Sequence, residues 1–327
     1  MTDLVAISFN SKKNCLLCSR KQGFKVFDLS PFQKRFNRKF TEYGIKMIDQ
    51  LGESNLFAIV RMTNPKKLYI WDDYQSKNLA EITFRQPIRV VRMFIDKLVV
   101  CCITEVVFYR FSDLEREKVI KTGRNNPNLF ATTSNRNTLQ TLVVSHTEPG
   151  YLLRFVFSKN PSSNNFKTFN QKPINLLQLS HNGRLVSVCT SESNLVRVFE
   201  CSSGICISQL QAGKKRTTIS SMVFQDLGNY IAVVTSRSFL HIFDIPRDIK
   251  QLKTKTKEKM GVTFCKIAFQ KRKPIASCQI PTIPKMKLLF LAQNITIYSL
   301  NGKIYEFKYD PQNKEIISIG KPKQFMK

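Results

Sequence analysis

Acidic residues are scarce: 23 Asp and Glu stand against 52 Lys and Arg, a formal charge of +29 over 327 residues. Such a field draws a protein toward polyanions, either acidic lipid surfaces or nucleic acid, and charge alone does not choose between them. An uninterrupted apolar run of about 18 residues is missing, and Met1 to Asn10 has no basic start followed by a long apolar stretch. The chain is therefore expected to start in the cytosol and to lie on a membrane at most. Histidine is down to His146, His181 and His241, which fall in different stretches without a visible acid or nucleophile partner. A P-loop, a G-x-G-x-x-G after a strand and a G-x-S-x-G elbow are also missing, so neither an enzyme nor a cofactor is expected.

The nine cysteines are an odd number, and most sit in apolar β-like runs: Cys101 and Cys102 in LVVCCI, Cys189 in VSVCT. They read as reduced core thiols. Cys15 and Cys18 have a zinc-like spacing, but on a strand residues i and i+3 point to opposite faces, and no second Cys or His pair follows. No metal is expected there. The sequon Asn294-Ile295-Thr296 needs a secretory context that nothing else supports.

What is present is a repeat. An alternating strand that carries an aromatic recurs as GFKVFDL (23–29), KLYIWDD (67–73), EVVFYRF (105–111), GYLLRFVF (150–157), NLVRVFE (194–200), SFLHIFDI (238–245) and GKIYEFKYD (302–310). With Phe27, Trp71, Tyr109, Phe155, Phe199, Phe243 and Phe307 as markers, the steps are 44, 38, 46, 44, 44 and 64 residues. About 40–45 residues is the period of a four-stranded propeller blade. Another β-rich run and a polar turn precede the markers, as in SVCTSES before NLVRVF. Helical periodicity is weak, its best stretch being Asp113 to Lys121.

The reading is an all-β chain, one seven-bladed, WD-repeat-like β-propeller spanning 1–327, because a closed ring protects strand edges. A pair of β-sandwiches explains the turns but not the period. The long last step contains PRDIKQLKTKTKEKMG (246–261), rich in Lys and poor in apolar anchors, before the run VTFCKIAF. It reads as a projecting basic loop of blade six or, more plainly, as solvated surface.

Taken together, ISFNSKKNCLLCSRKQGFKVFDLSPF (7–32), YIWDD (69–73), PIRVVRMFIDKLVV (87–100), LVRVFECSSGICISQLQAG (195–213), LHIFDI (240–245) and NGKIYEFKYDP (301–311) resemble the PROPPIN family over nearly the whole chain. These are WD-repeat β-propellers that bind phosphatidylinositol 3-phosphate and 3,5-bisphosphate in autophagy. The resemblance implies a Phe- or Leu-Arg-Arg-Gly motif after the outer strand of blade five, its arginines entering two headgroup pockets. The matching residues are Leu210-Gln211-Ala212-Gly213, without either arginine. A guanidinium forks onto phosphate oxygens in a contact of roughly 1.5–3 kcal/mol, whereas Gln211 offers a neutral amide and Ala212 nothing polar.

Carried over residue by residue, the first pocket becomes Asn170, Thr190, Asn194 and Arg197, with the arginine retained. The second keeps His241 and a hydroxyl at Ser236, but Phe239 replaces its Thr and Arg237 a small polar residue. Lys214, Lys215 and Arg216 follow Gly213 as substitute cations, or as a solvated turn. Lysine holds phosphate as a point charge, so weaker, less stereospecific and more salt-sensitive binding is expected.

Loop 246–261 matches the family's membrane-touching loop, where Lys250, Lys253, Lys255 and Lys257 with Leu252 favour adsorption over deep insertion. The resemblance also implies autophagy or lipid-transfer partners at the rim near blades two and three, matched by Arg85 to Leu129. It points to a monomer recruited from the cytoplasm to autophagic, endosomal or vacuolar membranes. The competing reading is a diverged protein–protein scaffold without specific lipid binding. Specific nucleic-acid binding is not expected, because the aromatics fall at strand positions expected to be buried.

Overall fold

The computed structural model describes residues 3–125, 129–157, 161–168, 173–191, 193–214, 216–246, 271–283 and 285–326. Blade one is β1 (Leu4–Phe9), β2 (Cys15–Arg20), β3 (Gly23–Leu29) and β4 (Phe32–Arg38). Blade two is β5 (Ile45–Gln50), β6 (Leu56–Arg61), β7 (Lys67–Asp72) and β8 (Lys77–Thr83). Blade three is β9 (Val90–Met93), β10 (Lys97–Cys101), β11 (Glu105–Arg110) and β12 (Arg116–Lys121). Blade four is β13 (Phe130–Asn135), β14 (Thr138–Ser145), β15 (Tyr151–Val156) and β16 (Ser162–Lys167).

Blade five is β17 (Ile174–Leu179), β18 (Leu185–Thr190), β19 (Leu195–Glu200) and β20 (Cys206–Gln211), extended at its edge by β24 (Lys271–Arg272). Blade six is β21 (Ile219–Phe224), β22 (Tyr230–Thr235), β23 (Phe239–Asp244) and β25 (Ala276–Gln279). Blade seven is β26 (Met286–Leu291), β27 (Asn294–Ser299), β28 (Lys303–Asp310) and β29 (Glu315–Ser318), with β30 (Lys323–Gln324) also on β28. The seven expected blades are present, and every aromatic marker lies on the third strand of its blade.

Second strands are buried on both faces because each blade is covered on both sides, so CLLCS of β2 is a continuous buried run. Outer strands are mostly exposed, as in FQKRFNR of β4. The Asp113–Lys121 stretch, the best helical candidate, carries the outer strand β12, with Ile120 buried on the sheet. Seven apolar clusters fill the seven junctions between neighbouring blades. Cys15 faces blade two and Cys18 faces blade seven, on opposite sides of β2. The described cysteines are free thiols.

First strands of neighbouring blades touch, β1 on β5, β5 on β9, β13 on β17, β17 on β21 and β21 on β26, and β26 also lies against β1. Among the described residues no strand is shared between the termini; β1–β4 and β26–β29 form separate sheets. Closure rests on an apolar cluster that joins Ile7, Leu16, Cys18 and Phe27 to Leu289, Tyr298, Ile304 and Met326. Phe325 sets its ring edge-on to Phe27 at 5.7 Å. The long step of the repeat is the connection from β23 to β25, which holds loop 246–261 and VTFCKIAF. Residues 247–270 within it, and so the lysines and Leu252 of the expected loop, lie outside the described residues.

Candidate functional site

Successive residues on a strand point to opposite faces, which separates Gln211 from Ala212. Gln211 pairs with Leu195 across β19–β20 and shares the face of Arg197 and Phe199, toward blade four. Ala212 follows Leu210 onto the other face, where both join the apolar cluster between blades five and six. Gln211 is half-buried, whereas Ala212 is 0% exposed. The degenerate motif thus sits between two different grooves.

The turn after Ala212 is held from β19. Asn194 receives the Ala212 N–H on its backbone carbonyl at 2.8 Å, and its side-chain Nδ2 donates to the carbonyls of Gly213 at 2.9 Å and Lys214 at 3.1 Å. Gly213 has φ +81°, and an added Cβ would press on Thr217 at 3.2 Å, so both backbone sign and space select glycine. Lys214 and Arg216 project as exposed cations, and Lys215 lies outside the described residues.

In the groove toward blade four, Arg197 spans the junction by donating from Nη1 to the carbonyl of Thr168 at 2.9 Å. Thr168 is itself anchored through Oγ1 to the carbonyl of Gly150 at 2.7 Å. Thr190 is buried at the end of β18, on the same side as Val188. Asn170 lies outside the described residues.

In the groove toward blade six, His241 shares a strand face with Phe239 and Phe243. Its ring stacks on Phe239 at 5.9 Å and 9°, and Nδ1 meets Ser277 Oγ at 2.7 Å. Burial holds the His241 pKa below its ordinary value, so the ring is neutral at pH 7. Ser236 Oγ accepts the Thr218 N–H at 3.1 Å, and exposed Arg237 occupies the β22–β23 turn. These neighbours, Ser277, Thr218 and Thr168, are not singled out by the sequence. Ser277 lies beyond the long connection in a short strand with no repeat signal of its own.

The long basic connection re-enters the described fold at β24, which runs parallel to β20 and pairs Lys271 with Gln209 and Arg272 with Leu210. The base of the connection therefore lies one residue from Gln211. Arg85–Leu129, matched to the partner-binding rim, begins in the linker after β8 and carries all of blade three, with Ile95 60% exposed; residues 126–128 lie outside the described residues.

The rim can bind anions through exposed cations. Nucleophilic chemistry finds no support in the buried thiols, since burial pushes Cys102, Cys189 and Cys201 up to about 12. Among the described residues no three His, Cys, Asp or Glu side chains group to hold a metal.

Autophagy-related protein 18e of Arabidopsis thaliana is 23% identical over 320 residues, covering 94% of this chain and 84% of its own. The Kluyveromyces lactis Hsv2 structure superposes with a TM-score of 0.80 at 18% identity, covering 99% of this chain and 100% of its own. A complex of KlAtg21 with the coiled-coil of AgAtg16 gives a TM-score of 0.73 at 18% identity, covering 99% of this chain and 100% of that one. The PROPPIN family model matches residues 3–264, the span that holds blades one to five, the turn at Gly213 and most of blade six, and this protein belongs to the PROPPIN family.

Proposed function

We propose that this protein is a peripheral membrane adaptor of autophagic or endosomal membranes, reading 3-phosphorylated phosphoinositides through a weakened rim site and doing no chemistry of its own. The observation that carries this reading is the turn at Gly213. Its architecture is kept by Asn194 and the left-handed glycine, while Gln211 and Ala212 stand where the family has arginines. Lys214, Lys215, Arg216 and Arg237 supply charge around it, and Arg197 spans the neighbouring groove. Point charges bind phosphate with less geometric selection than a guanidinium fork, and they are screened by salt.

The basic loop 246–261 acts together with the rim site; the long connection that contains it returns at β24, which pairs with β20 at Gln209 and Leu210. Lys250, Lys253, Lys255 and Lys257 adsorb to an anionic surface at about 1 kcal/mol each, with Leu252 as a sparse anchor. Protein partners dock on blades two and three; that a family-like fold is known bound to a coiled-coil supports autophagy partners in general.

A liposome co-sedimentation series tests the lipid reading. Vesicles with phosphatidylinositol 3-phosphate should bind more than phosphatidylserine vesicles of matched charge, and binding should fall steeply between about 0.05 and 0.3 M salt, a rise to about 0.2 M already halving the Debye length. Equal binding at matched charge would sink headgroup recognition. It would favour the second reading, a protein–protein scaffold, which draws support from buried Ala212 and from Phe239 lying over His241.

A further inference from the structure

The axis of the ring carries a second concentration of positive charge, apart from the rim. A cavity of about 160 Å3 is lined by first-strand residues of six blades, and its charged side chains are Lys13, Arg92 and Lys287. No carboxylate lines it among the described residues. Lys13 is presented by the left-handed turn between β1 and β2, with φ +58°. Arg92 and Lys287 come from β9 and β26. The hydroxyls of Ser8, Ser220 and Ser221 complete a polar wall.

We propose that this channel binds one phosphate-sized oxyanion, either inorganic phosphate or the phosphate of a small soluble monoester, between Lys13, Arg92 and Lys287. Charge balance is the first reason. Arg92 donates from Nη1 to the buried carboxylate of Asp49 at 3.2 Å, and Asp49 also accepts the Met93 N–H at 2.7 Å. That carboxylate answers one cation of three, and neither lysine has an ion pair among the described residues. Both lysines are enclosed by the ring although part of each meets the channel. Burial and then Arg92 hold the pKa of Lys13 down and bring that of Lys287 to about 8. Such strain is relieved by an anion.

Size is the second reason. A water needs only about 10–15 Å3 of such cavity space, so the cavity has room for several waters and for a tetrahedral oxyanion with its four oxygens. The charged side chains that share the cavity with Lys287 are Arg92 and Lys13, with Asp49 paired to Arg92. An anion therefore draws the Lys287 amine back to its charged form and takes up a proton when bound near pH 8.

The test titrates inorganic phosphate into the full chain against chloride of matched ionic strength, following the thermal unfolding midpoint and the 31P linewidth. Phosphate should raise the midpoint where chloride does not, and calorimetry at pH 8 in two buffers should show proton uptake. Lys287→Met and Lys13→Asn, the latter suited to a left-handed turn, should each weaken phosphate binding about tenfold, as expected for losing one charge-assisted contact. Vesicle binding by Lys287→Met should be unchanged. Lys214→Gln with Arg216→Gln should weaken vesicle binding and leave the phosphate response intact, so the channel and rim proposals fail separately. Equal responses of the native chain to phosphate and chloride would overturn the channel site, as would a phosphate response lost only in the rim variant.

Discussion

Gln211 and Ala212 are neighbours in sequence but face different grooves, so restoring an arginine has a different consequence at each. Gln211 is half-buried toward blade four, where a longer side chain can reach the rim. Gln211→Arg should raise affinity for 3-phosphorylated vesicles about tenfold or more, the worth of a charge-assisted contact, as read by co-sedimentation. Ala212 packs with Leu210, Ile219 and Phe243 at 0% exposure. Ala212→Arg should lower the unfolding midpoint, since overpacking a core costs about 1–3 kcal/mol before any charge is buried. His241 gives a pH signature. Its folded pKa lies below the unfolded value of about 6.5, so the stability tied to the neutral ring is full above that pH and is lost as pH falls below the folded value. The midpoint difference between native and His241→Gln should therefore shrink from pH 7.5 to pH 5; a constant difference would remove the titration of His241 from the account. These roles were only half legible: Arg197 and His241 stand at the expected pocket positions, but their partners Thr168 and Ser277 stand 29 and 36 residues away, and nothing local pairs them.

At the scale of elements, the long connection of blade six is the departure from the repeat. Its base is fixed, because β24 covers the free edge of β20 beside the motif. Arg272 also reaches Asp244 at 2.9 Å, a surface pair worth about 0–1 kcal/mol. The length of this connection was legible as a 64-residue step, whereas its return to blade five was not, since a two-residue parallel pairing leaves no periodic trace. Changing Lys250, Lys253, Lys255 and Lys257 to Gln should weaken adsorption to phosphatidylserine vesicles at low salt, by up to about three orders of magnitude at about 1 kcal/mol per charge. The same change should leave the unfolding midpoint in place. A variant that still adsorbs like the native chain would take the loop out of membrane contact. The weak helical signal at Asp113–Lys121 shows the converse: an exposed, charged outer strand with one buried Ile120 has too few apolar positions to display period two.

At the scale of the whole molecule, the ring closes, among the described residues, through apolar packing. With no strand exchanged between blades one and seven, the junction depends on apolar contacts that the last residues complete. Met326 is 0% exposed between these blades, and Phe325 lies against Phe27 and Tyr298. Met326→Ala should destabilise the protein by about 2–5 kcal/mol, the range for truncating a buried Met, measured by chemical denaturation. A loss below about 0.5 kcal/mol, the range of an ordinary surface substitution, would mean that the ring holds without this closure.

The sequence by itself determined the number of blades, because an aromatic on the third strand of each blade and a turn every forty-odd residues are local demands of a repeating sheet. It also determined the loss of both motif arginines and the sign of the surface charge. Tertiary structure alone decided that Gln211 and Ala212 open onto different grooves, that Phe239 lies over His241, and that Lys13, Arg92 and Lys287 share one cavity. The physical reason is that a strand fixes only the alternation of its own side chains, while the groove each one enters is made by the next blade around the ring.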